Sequence, residues 1–164
     1  MQDRINYLIF LPVISFLFLL ETSFLPQIFA GGFPPNLVMI MLFAAALLAL
    51  SSDFLYVAFL FGFLFDIFSG ASFGIFTAAL VFSSIIVCEI KSRFIKEDRF
   101  VQIAAAASAG ALSYHLIYLL LFTIPYNGNI SSYGDFLWEK ILFDSAYAAV
   151  LTYPAMRLIS KKKQ

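Results

Sequence analysis

Charge is the first thing this chain lacks. Asp, Glu, Lys and Arg make up 12% of its 164 residues, where a soluble domain carries about 25%. Ten basic and ten acidic side chains, with no net charge, are too few to cover a water-facing surface, which excludes a soluble enzyme. Without a basic stripe, nucleic-acid binding is excluded too. The one cysteine, Cys88, rules out a disulfide-stapled scaffold and reads as a small buried hydrophobe. One histidine, His115, beside that one thiol gives no metal-ligand spacing, so no metal or other cofactor is expected. What the chain has instead is apolar bulk: 62% hydrophobic residues and 21 phenylalanines. That excludes a disordered tail. It leaves a polytopic membrane protein forming a single domain over residues 1–164.

A bilayer core takes about 20 mostly apolar helical residues per crossing. Such stretches fall at residues 5–25, 37–50, 54–68, 73–90, 100–124 and 136–159. The first contains Pro12, which membrane helices tolerate. It reads as a retained helix rather than a signal peptide, because residues 21–26, Glu-Thr-Ser-Phe-Leu-Pro, make a poor cleavage site. Residues 31–36, Gly-Gly-Phe-Pro-Pro-Asn, break helix and strand alike. The apolar run 37–68 is too long for one crossing and divides at Ser51-Ser52-Asp53. Its first half is then only about 21 Å long. Either it runs past these limits, or the bilayer thins around it, or it is buried in protein.

Six crossings put both ends on one side. Nine of the ten basic residues then share that side, namely Arg4, Lys91, Arg93, Lys96, Arg99, Arg157, Lys161, Lys162 and Lys163, as the positive-inside rule asks. Lys140 alone sits opposite. A five-crossing layout, with 37–68 as one tilted helix, moves Arg4 across and is less favoured. Tyr126, Tyr133, Asp135 and Trp138 fall at the outer interface. The loops are short, so no domain is expected outside the bilayer.

A charge inside hydrocarbon costs about 2.5–3.5 kcal/mol on insertion scales, so each is expected to face protein or water. Asp66, His115 and Asp144 lie well inside spans, and Glu21 near the outer end of the first. His115 and Asp144 fall at one depth on consecutive helices, each roughly 5 Å outside the midplane, so a hydrogen bond between them is open. The alternative has His115 bonding a main-chain carbonyl while Asp144 pairs with Lys140 one turn earlier. An intramembrane aspartyl protease would need a motif that is missing here. Proton-coupled transport would need an aqueous path that residues alone do not reveal.

Asp66 is expected to accept N–H bonds from the turn just after it, at Ser69 and Gly70. Gly62 and Gly74 would let helices approach closely at the two ends of that segment. The reading is a self-satisfied hairpin, with direct partner contact as the alternative. Residues 104–111 are nearly all small, and include Ala107 and Gly110. They suit close packing within the bundle or a docking face for another membrane subunit.

In layout and motif the chain resembles the MreD family of rod shape-determining membrane proteins. Glu21-Thr22-Ser23 ends the first helix and Pro35-Asn36-Leu37 opens the second. Gly62, Asp66, Ser69, Gly70 and Gly74 match a Gly-x-x-x-Asp-x-x-Ser-Gly-x-x-x-Gly segment after the third. The ending Tyr153-Pro154-Ala155-Met156-Arg157 is similar as well. Asn36 stands where the family usually has Asp; it keeps a helix-capping role and loses the negative charge.

The resemblance implies an all-α bundle of six transmembrane helices, similar to the S components of energy-coupling-factor transporters. It also implies a bacterial inner-membrane location with both termini cytoplasmic, and no enzymatic activity. The implied role is a scaffold for cell elongation, acting on rod shape and lateral peptidoglycan synthesis. Its implied partners are an MreC-like single-span periplasmic protein, the peptidoglycan synthesis complex and the MreB filament. The S-component likeness supplies the alternative, a vitamin-binding transporter subunit. Short outer loops with few polar groups beyond Asn127, Asn129, Ser131 and Ser132 speak against a solute pocket. Helix faces are then expected to carry recognition.

Overall fold

The computed structural model describes residues 4–5, 7–29, 32–48, 53–69, 73–95, 100–126 and 131–161. Helix α1 (Tyr7–Leu19) continues through a π-helical turn (Leu20–Phe24) into α2 (Leu25–Ile28). Helices α3 (Leu37–Leu48), α4 (Asp53–Ser69), α5 (Ile75–Phe94), α6 (Phe100–Tyr126) and α7 (Ser131–Ile159) follow. Three stretches are long and apolar enough to cross a membrane: Ile9–Ile28, Ile75–Phe94 and Phe100–Phe122. Leu37–Leu48 and Phe54–Ser69 are shorter apolar helices.

The fold is all-helical apart from two strands of two residues each. β1 (Arg4–Ile5) pairs antiparallel with β2 (Ser160–Lys161), Arg4 opposite Lys161 and Ile5 opposite Ser160. Strands of two residues carry no alternation that a sequence pattern could reveal. The pairing ties the segment before α1 to the segment after α7.

α3 is the hub. Its sequence is apolar on every side, the pattern of a helix enclosed by others, and every side chain from Val38 to Leu48 is buried. It packs against α1, α4, α5, α6 and α7. At 12 residues it is only about 18 Å long. Enclosure in protein, one of the accounts open for a helix this short, is observed for its described residues.

The other helices close around it by identifiable contacts. α1 offers a single buried stripe, Phe10, Ile14 and Phe18, spaced one turn apart. Phe18 makes edge-to-face contacts with Phe61, Phe65 and Phe68 of α4. On α6, Ala106, Ala107, Gly110 and Ala111 turn inward. A methyl group added at Gly110 would press on the Val87 side chain and the Phe43 ring. The described part of the small-residue run is therefore largely used inside the bundle. Outward-facing positions are large and apolar, among them Phe16, Tyr56, Phe59, Leu116, Leu142 and Val150.

Candidate functional site

Two buried polar clusters sit at the end of the bundle away from the strand pair. The first begins at the N-terminus of α3, whose leading N–H groups have no partner within the helix. Asn36 Oδ1 accepts from the Met39 N–H at 2.8 Å, and its carbonyl accepts from Ile40 at 3.2 Å. That is the capping role expected for Asn36. A second cap comes from far earlier in the chain: Glu21 Oε2 accepts the Val38 N–H at 3.1 Å. Glu21 stands in the π-helical turn. Single π turns recur at functional sites, and here one carries the residue that reaches across to α3. The Tyr114 phenol on α6 faces Asn36, with Glu21 and Asp144 close by.

Lys140 on α7 joins this cap to the interior. Its Nζ donates to the Pro34 carbonyl at 2.6 Å and to Asp144 Oδ1 at 3.2 Å. Asp144, with no exposed surface, meets His115 Nε2 through its other oxygen at 2.9 Å. The two alternatives for Asp144 thus meet on one carboxylate, one partner per oxygen. Phe33 stacks on Phe143 at 5.3 Å, which fastens the same loop to α7 a second time.

Asp66 builds the second cluster. Its described N–H donors come from the start of the next helix, α5, beyond the turn in which Ser69 and Gly70 are expected to donate. Oδ1 accepts from the Phe76 N–H at 2.9 Å. Oδ2 accepts from the Thr77 N–H at 3.1 Å and from the Thr77 hydroxyl. Ser69 donates its hydroxyl to the Asp66 carbonyl at 3.4 Å, and Gly70 lies outside the described residues.

The reason is the closeness of α4 and α5. A Cβ at Gly62 would stand 2.5 Å from the Thr77 Cα, so the backbones touch and Asp66 reaches the open N–H groups of α5. Gly74, at φ +96°, takes the left-handed turn into that helix.

Glu21, Pro34, Thr77 and Lys140 were not among the residues singled out as site candidates from sequence. The nearest signals were Glu21 ending its helix and Lys140 one turn before Asp144. Nothing local pointed to Pro34 or Thr77, because both contacts join distant parts of the chain. The carboxylates in both clusters act as hydrogen-bond acceptors that fasten helix ends and a loop. Among the described residues, no three His, Cys, Asp or Glu side chains gather as a metal site.

Several apolar helices, with Phe and Leu outward and the buried Asp66, His115 and Asp144 paired inward, define a multi-pass helical membrane protein. The chain matches the family model described as rod shape-determining protein MreD over residues 2–163, and it belongs to that family. No curated protein and no solved structure matches it. Membership implies a part in determining rod shape.

Proposed function

We propose that this protein is a non-enzymatic scaffold in the inner membrane, organising the cell-elongation machinery through its helix faces. The match to the MreD family over residues 2–163 carries this reading. Its partners in the proposal are an MreC-like single-span periplasmic protein, the peptidoglycan synthesis complex and the MreB filament. The geometry supports a scaffold in a specific way. Glu21, Lys140, Asp144 and Asp66 are engaged with helix ends, a loop carbonyl and one another. What the bundle offers its surroundings is shape and apolar surface. The vitamin-binding alternative, and with it the S-component likeness, gains nothing from these polar groups.

The proposed layout is a single membrane domain of six crossings with both termini cytoplasmic. The β1–β2 pairing supports an even number, since it holds the two ends together. Lys140, the basic residue on the wrong side, supports it too, because that ammonium points inward to Pro34 and Asp144.

Depletion in a rod-shaped host tests the function. Rounding of cells, with copurification of a single-span periplasmic partner, is expected. Retained rod shape together with a new vitamin requirement would overturn the scaffold in favour of transport.

A further inference from the structure

We propose that the outward face of α4 and α5 fits a bilayer thinned on that side of the bundle, filled by lipids with short acyl chains. The stripe Phe82, Ile86, Glu89 and Arg93 runs down α5 at helical spacing. Phe82 and Ile86 are exposed apolar positions. One turn on, the stripe becomes ionic. Glu89 pairs with Arg93, their side chains 56% and 69% exposed, and Ser92 beside them is exposed too. An outward ion pair is costly in hydrocarbon, so the polar boundary on this face reaches Glu89. Phe94, the last residue of α5, lies about a third of a turn round from the stripe.

α4 gives a second, independent mark. Gly62 lies against Thr77, and counting along the antiparallel pair from that contact sets Asp53, where α4 begins, level with Ile86. The exposed large apolar residues of α4 run only from Tyr56 to Phe68, a strip about 18 Å long.

α6 differs from both. Its outward stripe of Val101, Ala105, Leu112, Leu116 and Leu120 is apolar, each member exposed, and about 28 Å long. Gly110 faces Val87, which sets Glu89 level with Ser108, and Ser92 level with Ala105. The α6 stripe therefore continues about 10 Å past the height at which α5 becomes ionic. At the other end the two helices finish together: Ile75 stands level with Phe122, where the apolar stretch of α6 stops. A tilt of the whole bundle would shift both ends, whereas a step at one end is a change in thickness. A bilayer meets an apolar face shorter than itself by thinning, which shorter chains accommodate. The inference rests on the chain being a membrane bundle, and not on its part in cell shape.

Spin labels on Ser92→Cys and Ala105→Cys test the step, each in full-length Cys88→Ser protein in dioleoylphosphatidylcholine vesicles. The two positions share a height and both are exposed. The label at residue 105 should respond to oxygen, which concentrates in hydrocarbon, and the label at residue 92 to a water-soluble nickel chelate. Chelate access at both positions would make the boundary level around the bundle and overturn the thinning. Oxygen access at both would overturn it too, because the ion pair would then sit in hydrocarbon. Should a labelled protein fail to fold, thermal unfolding in dimyristoleoyl-, dioleoyl- and dierucoylphosphatidylcholine vesicles decides. Replacing Glu89 and Arg93 together by Leu lengthens the apolar stripe of α5 by about 10 Å. That variant should find its most stabilising lipid at longer chains than the parent does, and an unchanged optimum overturns the proposal. The vesicles hold no other protein, so a failure here leaves the scaffold reading standing.

Discussion

Asp144 has no exposed surface and holds an ammonium and an imidazole, one on each oxygen. Removing one member of a buried pair leaves the other charge unmatched, at a cost of about 3–5 kcal/mol. Asp144→Ala should therefore unfold in detergent far more readily than the parent. His115→Gln keeps a donor and leaves Lys140 in place, so its cost should stay near the ~1 kcal/mol of a single hydrogen bond. Equal losses in thermal unfolding would mean that the imidazole, not the ammonium, carries the site. Asn36 gives a second residue-scale test. Asn36→Ala removes the Met39 cap and should cost about 1 kcal/mol. Asn36→Asp restores the family's usual residue and keeps the acceptor, so its melting point should stay near the parent's. A drop as large as that of Asn36→Ala would show that added negative charge beside Glu21 and Asp144 outweighs the cap.

At the scale of elements, α4 and α5 are held by a contact between backbones. Gly62→Ala would place a methyl against the Thr77 Cα, where only helix separation can relieve it. Overpacking of this kind costs about 1–3 kcal/mol, and separation would also draw Asp66 from Phe76 and Thr77. The prediction is read by hydrogen exchange: Gly62→Ala should speed exchange at the Phe76 and Thr77 amides and leave Val38 and Met39 protected. Uniform loss of protection would mean that the two helix caps open together. Ala107→Leu and Gly110→Leu act on packing inside the bundle, since Ala107 is buried and Gly110 faces Val87 and Phe43. Both should lower the yield of monodisperse protein before any partner is added. These contacts also mark how far the sequence could be read. The apolar runs and the Asn36 cap are properties of neighbouring residues, and they were legible. So was the equal depth of His115 and Asp144, because helix rise converts position into height. Asp66 was assigned donors in its own turn because a local rule sees only nearby N–H groups. Its observed donors depend on a backbone approach set by Gly62, a tertiary fact. The π turn under Glu21 and the β1–β2 pair were invisible for the same reason.

For the whole molecule, the proposed topology rests on the arrangement of charge and the pairing of the ends. An odd number of crossings would put the segments before α1 and after α7 on opposite faces, separated by the bilayer core of about 30 Å. The structure instead hydrogen-bonds Arg4–Ile5 to Ser160–Lys161. The basic residues agree, and their exception is explained by structure: Lys140 lies inside the bundle on Pro34 and Asp144 instead of standing in a loop. A charge neutralised within the fold should carry little weight in orienting the chain. Reporter fusions at the two termini and within residues 127–130 should accordingly place both ends in the cytoplasm and that segment outside. Lys140→Met should leave the pattern unchanged while lowering thermal stability, since it removes the donor to Pro34. Replacing Lys91, Arg93, Lys96 and Arg99 together by Gln should instead mix the orientations, because those residues, two of them in the last turn of α5, carry much of the positive-inside signal. A terminus reported outside, or a topology overturned by Lys140→Met alone, would contradict this account of the fold.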